Sequence, residues 1–192
     1  MDLTQGSVRE KQSRANKMMV VVGIISLIMT FGGLTSAFIV SSSRLDWLTE
    51  LVLPSAFYWS TAIIVSSSLF LIVARRSLVK SQLKKASLFV ALSLLAGFSF
   101  VASQFIGFQQ IIDSGFNFTG PTSNVTMSYI YVITTLHIFH VVAGLISLFI
   151  VFIKTKRGTY TSISMTGFDM SAIFWHFVDL LWLYLFIFLS TF

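Results

Sequence analysis

The chain has no cysteine in 192 residues. That excludes structural disulfides, thiolate-held zinc, iron–sulfur clusters and a cysteine-ligated copper centre. Charge is scarce as well: Asp, Glu, Lys and Arg make up 10% of the residues, where a soluble domain carries about 25%. A water-soluble fold is thereby excluded. Pro54 and Pro121 are the only prolines, so no proline breaks the middle of an apolar run. There is no internal repeat, and five helices cannot divide into equal halves. Both absences count against the inverted-repeat transporter plan. Carboxylates are scarcest of all: the apolar runs hold Asp179, with Asp169 at a helix entrance.

What remains is an integral membrane protein, 55% hydrophobic. About 20 apolar residues cross a bilayer. Five segments meet that length, near 17–40, 51–74, 84–108, 127–153 and 168–191. The expected fold is an all-α membrane protein, a bundle of five transmembrane helices forming a single domain over 1–192. The first apolar run is longer than the roughly 7–15 residues of a secretory signal. It reads as an uncleaved helix, although Thr35-Ser36-Ala37 leaves cleavage open.

Charge sets the orientation. Arg9, Lys11, Arg14 and Lys17 precede the first helix. Arg75, Arg76, Lys80, Lys84 and Lys85 fill the second loop, and Lys154, Lys156 and Arg157 the fourth. Every basic residue but Arg44 falls on one side. The positive-inside rule then puts the N-terminus in the cytoplasm and the C-terminus outside. The net charge of +6 is thus orientation and headgroup contact, with no nucleic-acid partner. Arg75, Arg76, Lys156 and Arg157 are expected to meet phospholipid phosphates. The longest connection, roughly 109–126, lies outside and carries two glycosylation triplets, Asn117-Phe118-Thr119 and Asn124-Val125-Thr126. The triplet is common by chance. Gly32-Gly33, Ser36-Ala37, Ser66-Ser67-Ser68, Ala96-Gly97 and Ala143-Gly144 read as seams where helices pack closely.

All three histidines lie in the last two helices: His137 and His140 in the fourth, His176 in the fifth with Asp179. Ionisable groups at membrane depth are costly and need a reason. Each pair is three apart and so shares a helix face. At about 1.5 Å per residue all four sit roughly 12–25 Å from the cytoplasmic ends. His140 and Asp179 come out at similar depth, which predicts a buried hydrogen bond joining helices four and five. Trp175 and Trp182, seven apart, share a face expected to meet lipid or a partner subunit. Three chemistries fit such residues. Di-iron sites need several Glu residues, which are missing. Haem ligation by His137 or His140 with His176 would give a small membrane b-type cytochrome. A structural polar clamp of His137, His140, His176 and Asp179 is the third. A transporter using Asp179 as proton relay is a further alternative.

These residues resemble a known family, subunit III of the haem–copper terminal oxidases. Met127–Gly144, ending in Thr135–Gly144, resembles its H-x-x-H-V-x-x-G helix, and Phe168–Tyr184, with Trp175-His176-Phe177-Val178-Asp179 and Trp182-Leu183, resembles its closing W-H-F-V-D-x-x-W-L helix. Phe31–Val40 and Ser60-Thr61-Ala62 with Ser67-Ser68 carry it more weakly. Two departures accompany the resemblance. The full-length family has seven helices, with lipid in a cleft between the first two and the other five, and this chain looks like the last five. The family's buried glutamate falls at Leu27.

The resemblance implies a subunit with no catalytic residue, cofactor or metal of its own. It would stabilise the catalytic subunit I and support proton uptake and lipid binding. The haem and copper of the cytochrome c oxidase complex would lie in partner subunits I and II. Five helices favour a bacterial cytoplasmic (inner) membrane. A quinol oxidase or nitric oxide reductase accessory subunit looks similar at this level. The sequence leaves the electron donor open.

Overall fold

The computed structural model describes residues 8–48, 53–118, 120, 123–160 and 165–191. They form five helices: α1 (Val8–Ser41), α2 (Ser55–Val79), α3 (Leu83–Asp113), α4 (Val125–Lys156) and α5 (Thr166–Thr191). All five are long and apolar enough to cross a membrane. No strand forms among the described residues; Asn117 and Ser123 make an isolated bridge. This follows from the solvent. Hydrocarbon offers backbone groups no partner, so each segment must satisfy them internally.

The helices outrun the apolar runs at most ends. α1 begins at Val8 rather than near 17, because Glu10 and Lys11 propagate a helix well in interfacial water. α2 starts later than expected, at Ser55 after Pro54. Leu51 and Val52, placed in that helix from the sequence, lie outside the described residues, as does Glu50. α4 is capped by Asn124, whose side chain accepts from the Thr126 amide at 2.8 Å.

α2, α3, α4 and α5 close into an antiparallel ring, each packed on two neighbours, and α1 lies outside in the furrow between α4 and α5. Phe31 and Phe38 of α1 are fully buried there. Three hydroxyl pairs hold α1: Ser13 with Thr166 at 3.0 Å, Thr35 with Tyr184 at 3.0 Å and Ser41 with Tyr129 at 2.8 Å.

The seams expected at Gly97 and Gly144 exist, but what they admit is a ring. A Cβ on Gly97 would lie 2.7 Å from Trp175 Cη2, and one on Gly144 2.9 Å from Trp175 Cε3. Gly32 and Gly33 pack on nothing within 4 Å. Phe31, Thr35 and Phe38 occupy the packed face of α1, and the two glycines point elsewhere. Between α1, α3 and α4 an apolar recess of about 430 Å³ is walled by Leu34, Phe108, Tyr131, Leu136 and Phe139.

Candidate functional site

The buried polar groups gather along α2. Ser60, Thr61, Ser67 and Ser68 recur at helical spacing and present hydroxyls to α3 on one side and α5 on the other. In a bundle interior such groups must pair, and hydroxyls and indoles bridge helices at little steric cost. Ser67 and Ser93 of α3 are mutual: the hydroxyls lie 2.9 Å apart, and each donates to the other residue's carbonyl at 3.1 Å. Gln104 of α3 donates from Nε2 to Ser60 Oγ at 2.8 Å.

α5 meets the same stripe with four side chains. The Trp175 indole donates to Ser67 Oγ at 3.0 Å and the Trp182 indole to Thr61 Oγ1 at 2.9 Å. Ser68 Oγ donates to Asp179 Oδ2 and lies 2.9 Å from His176 Nδ1. A hydroxyl has one hydrogen. With that hydrogen on Asp179, the Nδ1–H tautomer of His176 completes the set by donating to Ser68. His176 and Asp179 are therefore brought together through a serine of α2.

The expected link between α4 and α5 does not form. His140 donates from Nδ1 to the Leu136 carbonyl of its own helix at 2.7 Å. It is half-buried against Phe31, with ring centroids 5.8 Å apart. His137 is fully buried, boxed by Phe31, Phe100 and Trp182, the last at 5.2 Å between centroids. Neither of its nitrogens has a hydrogen-bond partner among the described residues. Asp179 turns to α2 because Ser68 lies within its reach, while His140 is occupied one turn back on α4.

Trp175 and Trp182 also depart from expectation. They are 0% and 1% exposed, enclosed by the other helices of this chain. Seven-residue spacing fixed a shared face but not which way it turned. The three histidines likewise do not meet: His176 is engaged on the α2 side, His137 is enclosed by aromatic rings, and His140 lies under α1. Among the described residues no group of three His, Cys, Asp or Glu is placed to hold a metal ion.

Of the four basic residues expected at headgroups, Arg75 pairs with Asp169 at 2.8 Å, tying α2 to the start of α5. Arg76, Lys156 and Arg157 are exposed at the same end. At the opposite end Arg44 and Asp46 form a two-bond ion pair, at 2.8 and 3.1 Å. Hydrogen bonding from Arg44 holds the Asp46 carboxyl below the usual carboxylate range. Of the glycosylation triplets, Asn124 and Thr126 are spent on structure. Asn124 Nδ2 donates to the Asp46 carbonyl at 2.9 Å, and Thr126 Oγ1 accepts from the Leu48 amide at 3.1 Å. Thr119 of the other triplet lies outside the described residues.

Sequence reasoning missed Ser93 and Gln104. The signal that singled out the histidines, a polar group in an apolar run, would have found Gln104. Leu27, where the resembled family carries a glutamate, packs as an apolar residue against the core.

The comparisons with known proteins agree on one family. The family described as cytochrome c oxidase subunit III matches residues 5–192. "Probable cytochrome c oxidase subunit 3" of Nocardia farcinica is 31% identical over 171 residues, which is 86% of this chain and 82% of that protein. "Cytochrome c oxidase subunit 3" of Pylaiella littoralis is 33% identical over 130 residues, and the "Probable cytochrome c oxidase subunit 3" of Rickettsia felis 31% over 135. Those matches take in 68% and 69% of this chain but 46% of either relative, so the chain spans under half their length. The chain belongs to the cytochrome c oxidase subunit III family.

Proposed function

We propose that this chain is an accessory, non-catalytic subunit of a respiratory cytochrome c oxidase in a bacterial cytoplasmic membrane. It packs directly on subunit I, stabilises it during turnover and supports proton uptake. Haem and copper reside in subunits I and II. The observation that carries this reading is the use of the polar residues. The indoles, the α2 hydroxyls, His176 and Asp179 bond helix to helix. The polar groups shared by α2, α3 and α5 are thus spent on cohesion between helices.

Ser68, His176 and Asp179 act as a polar clamp between α2 and α5, and His137 and His140 support α1 through Phe31. The basic end, with Arg76, Lys156 and Arg157, faces the cytoplasm and anionic headgroups. The recess between α1, α3 and α4 suits a lipid chain, since its walls are apolar and aromatic.

The test is isolation of the tagged chain in mild detergent, with a reduced-minus-oxidised spectrum and identification of co-purifying proteins. Haem and copper that arrive with larger subunits, and leave with them in harsher detergent, support the reading. Haem retained by this chain alone overturns it.

A further inference from the structure

The clamp has an open side. His176 is half-buried in the middle of α5, and its Nδ1 is spent on Ser68. Nε2 has no partner among the described residues. The ring stays partly exposed on the side where α5 meets α2, and α1 packs on α4 and α5 and not on α2. His140, the other half-buried imidazole, does lie under α1, against Phe31.

The surroundings of Ser68 and His176 are symmetrical. One turn to either side of Ser68 stand Val65 and Ile72, 37% and 38% exposed. One turn to either side of His176 stand Ile173 and Leu180, 45% and 64% exposed. Residues at i−3 and i+4 share a helix stripe. The two stripes together make an apolar furrow, and of the Ser68 and His176 polar atoms at its middle His176 Nε2 is the unpaired one. Hydrocarbon in that furrow would match the four apolar side chains and leave the imidazole nitrogen unpaired, a costly arrangement. An apolar helix carrying one polar side chain at that depth matches both.

We infer that the furrow between α2 and α5 seats a transmembrane helix of a partner subunit, which places a hydroxyl or carboxamide on His176 Nε2. Either group can donate to neutral imidazole or accept from imidazolium. The inference rests on the proposed role as an oxidase subunit and names the face that role would use. The outward side chains Phe139, Val142, Ile146 and Phe149 of α4 are all apolar and serve as the lipid-facing control.

The test is photo-crosslinking in the membranes of the producing cell. A benzoylphenylalanine replaces Leu180 or Ile72 in the furrow, and Ile146 on the control face. All three positions are exposed, so folding is spared. The furrow positions should crosslink to one partner subunit several-fold more than Ile146 does. In the same preparations His176→Asn should retain the partner better than His176→Leu, since the carboxamide keeps a hydrogen-bonding group. Co-purification of the haem-bearing subunits reads the parent proposal separately. If they co-purify while the furrow crosslinks only to lipid, or Ile146 gives the stronger adduct, the furrow assignment is wrong. If no partner subunit co-purifies, the oxidase reading itself fails.

Discussion

Asp179 accepts from Ser68 through Oδ2 and keeps Oδ1 buried without a partner among the described residues. Asp179→Ala removes the acceptor and frees the Ser68 hydroxyl in a low-dielectric setting. The expected loss is about 1–3 kcal/mol, the usual cost of an orphaned buried group, read as a lower unfolding midpoint in detergent. Asp179→Asn keeps an acceptor for Ser68 and should recover most of it. Equal losses in both variants would point to charge rather than to the hydrogen bond. Asp46 gives the opposite kind of residue-scale prediction. Its folded pKa lies below its ordinary value, so the Arg44 pairing contributes above that ordinary value, near pH 4, and fades as acidification passes the lower folded one. The pair is exposed, so the effect is small. It should appear as a local shift in the 109–126 and Arg44 loops below roughly pH 4, and be absent in Asp46→Asn. The rare polar residues themselves were legible, because an ionisable group in an apolar run stands out without any structure.

At the scale of the helix, legibility ended with rotation. Lengths and order were readable because a bilayer imposes them. Which way each helix turned was not, because these helices are apolar nearly all round and carry no polar face to set a phase. That is why Trp175 and Trp182 could be given a common face and still be assigned to the outside. It is also why His140 was paired with Asp179 across α4 and α5, when Asp179 turns to Ser68 of α2. The small residues were found, but their use was not: at Gly97 and Gly144 they admit an indole, and at Gly32 and Gly33 they admit nothing. Gly144→Ala should therefore overpack the Trp175 ring and cost about 1–3 kcal/mol, while Gly33→Ala should be neutral or slightly stabilising. Thermal unfolding of the two variants side by side checks this, and equal behaviour would contradict the socket.

For the whole molecule, the four-helix ring with an outlying α1 could not be read from the order of helices, because any of several ring closures fits the same short connections. The indole and serine bonds between α2 and α5 select this one. Orientation in the bilayer is an independent matter, and the missing cysteine makes it easy to measure. Single cysteines at Lys80 and Ser114, both exposed and at opposite ends, have no background. With the basic end in the cytoplasm, an impermeant maleimide should label Ser114→Cys in intact cells and Lys80→Cys only after permeabilisation. The reverse pattern would invert the topology.

Trp175 reaches from α5 to a serine of α2 and lies between a glycine of α3 and a glycine of α4. Four helices thus have a stake in one side chain. A shrunken ring leaves a void between the glycines, and a grown glycine strikes the ring, so neither change is tolerated alone as well as both together. In the descent of such a chain these positions would be inherited as a block: sequences that lose the indole should be those whose two glycines have already enlarged.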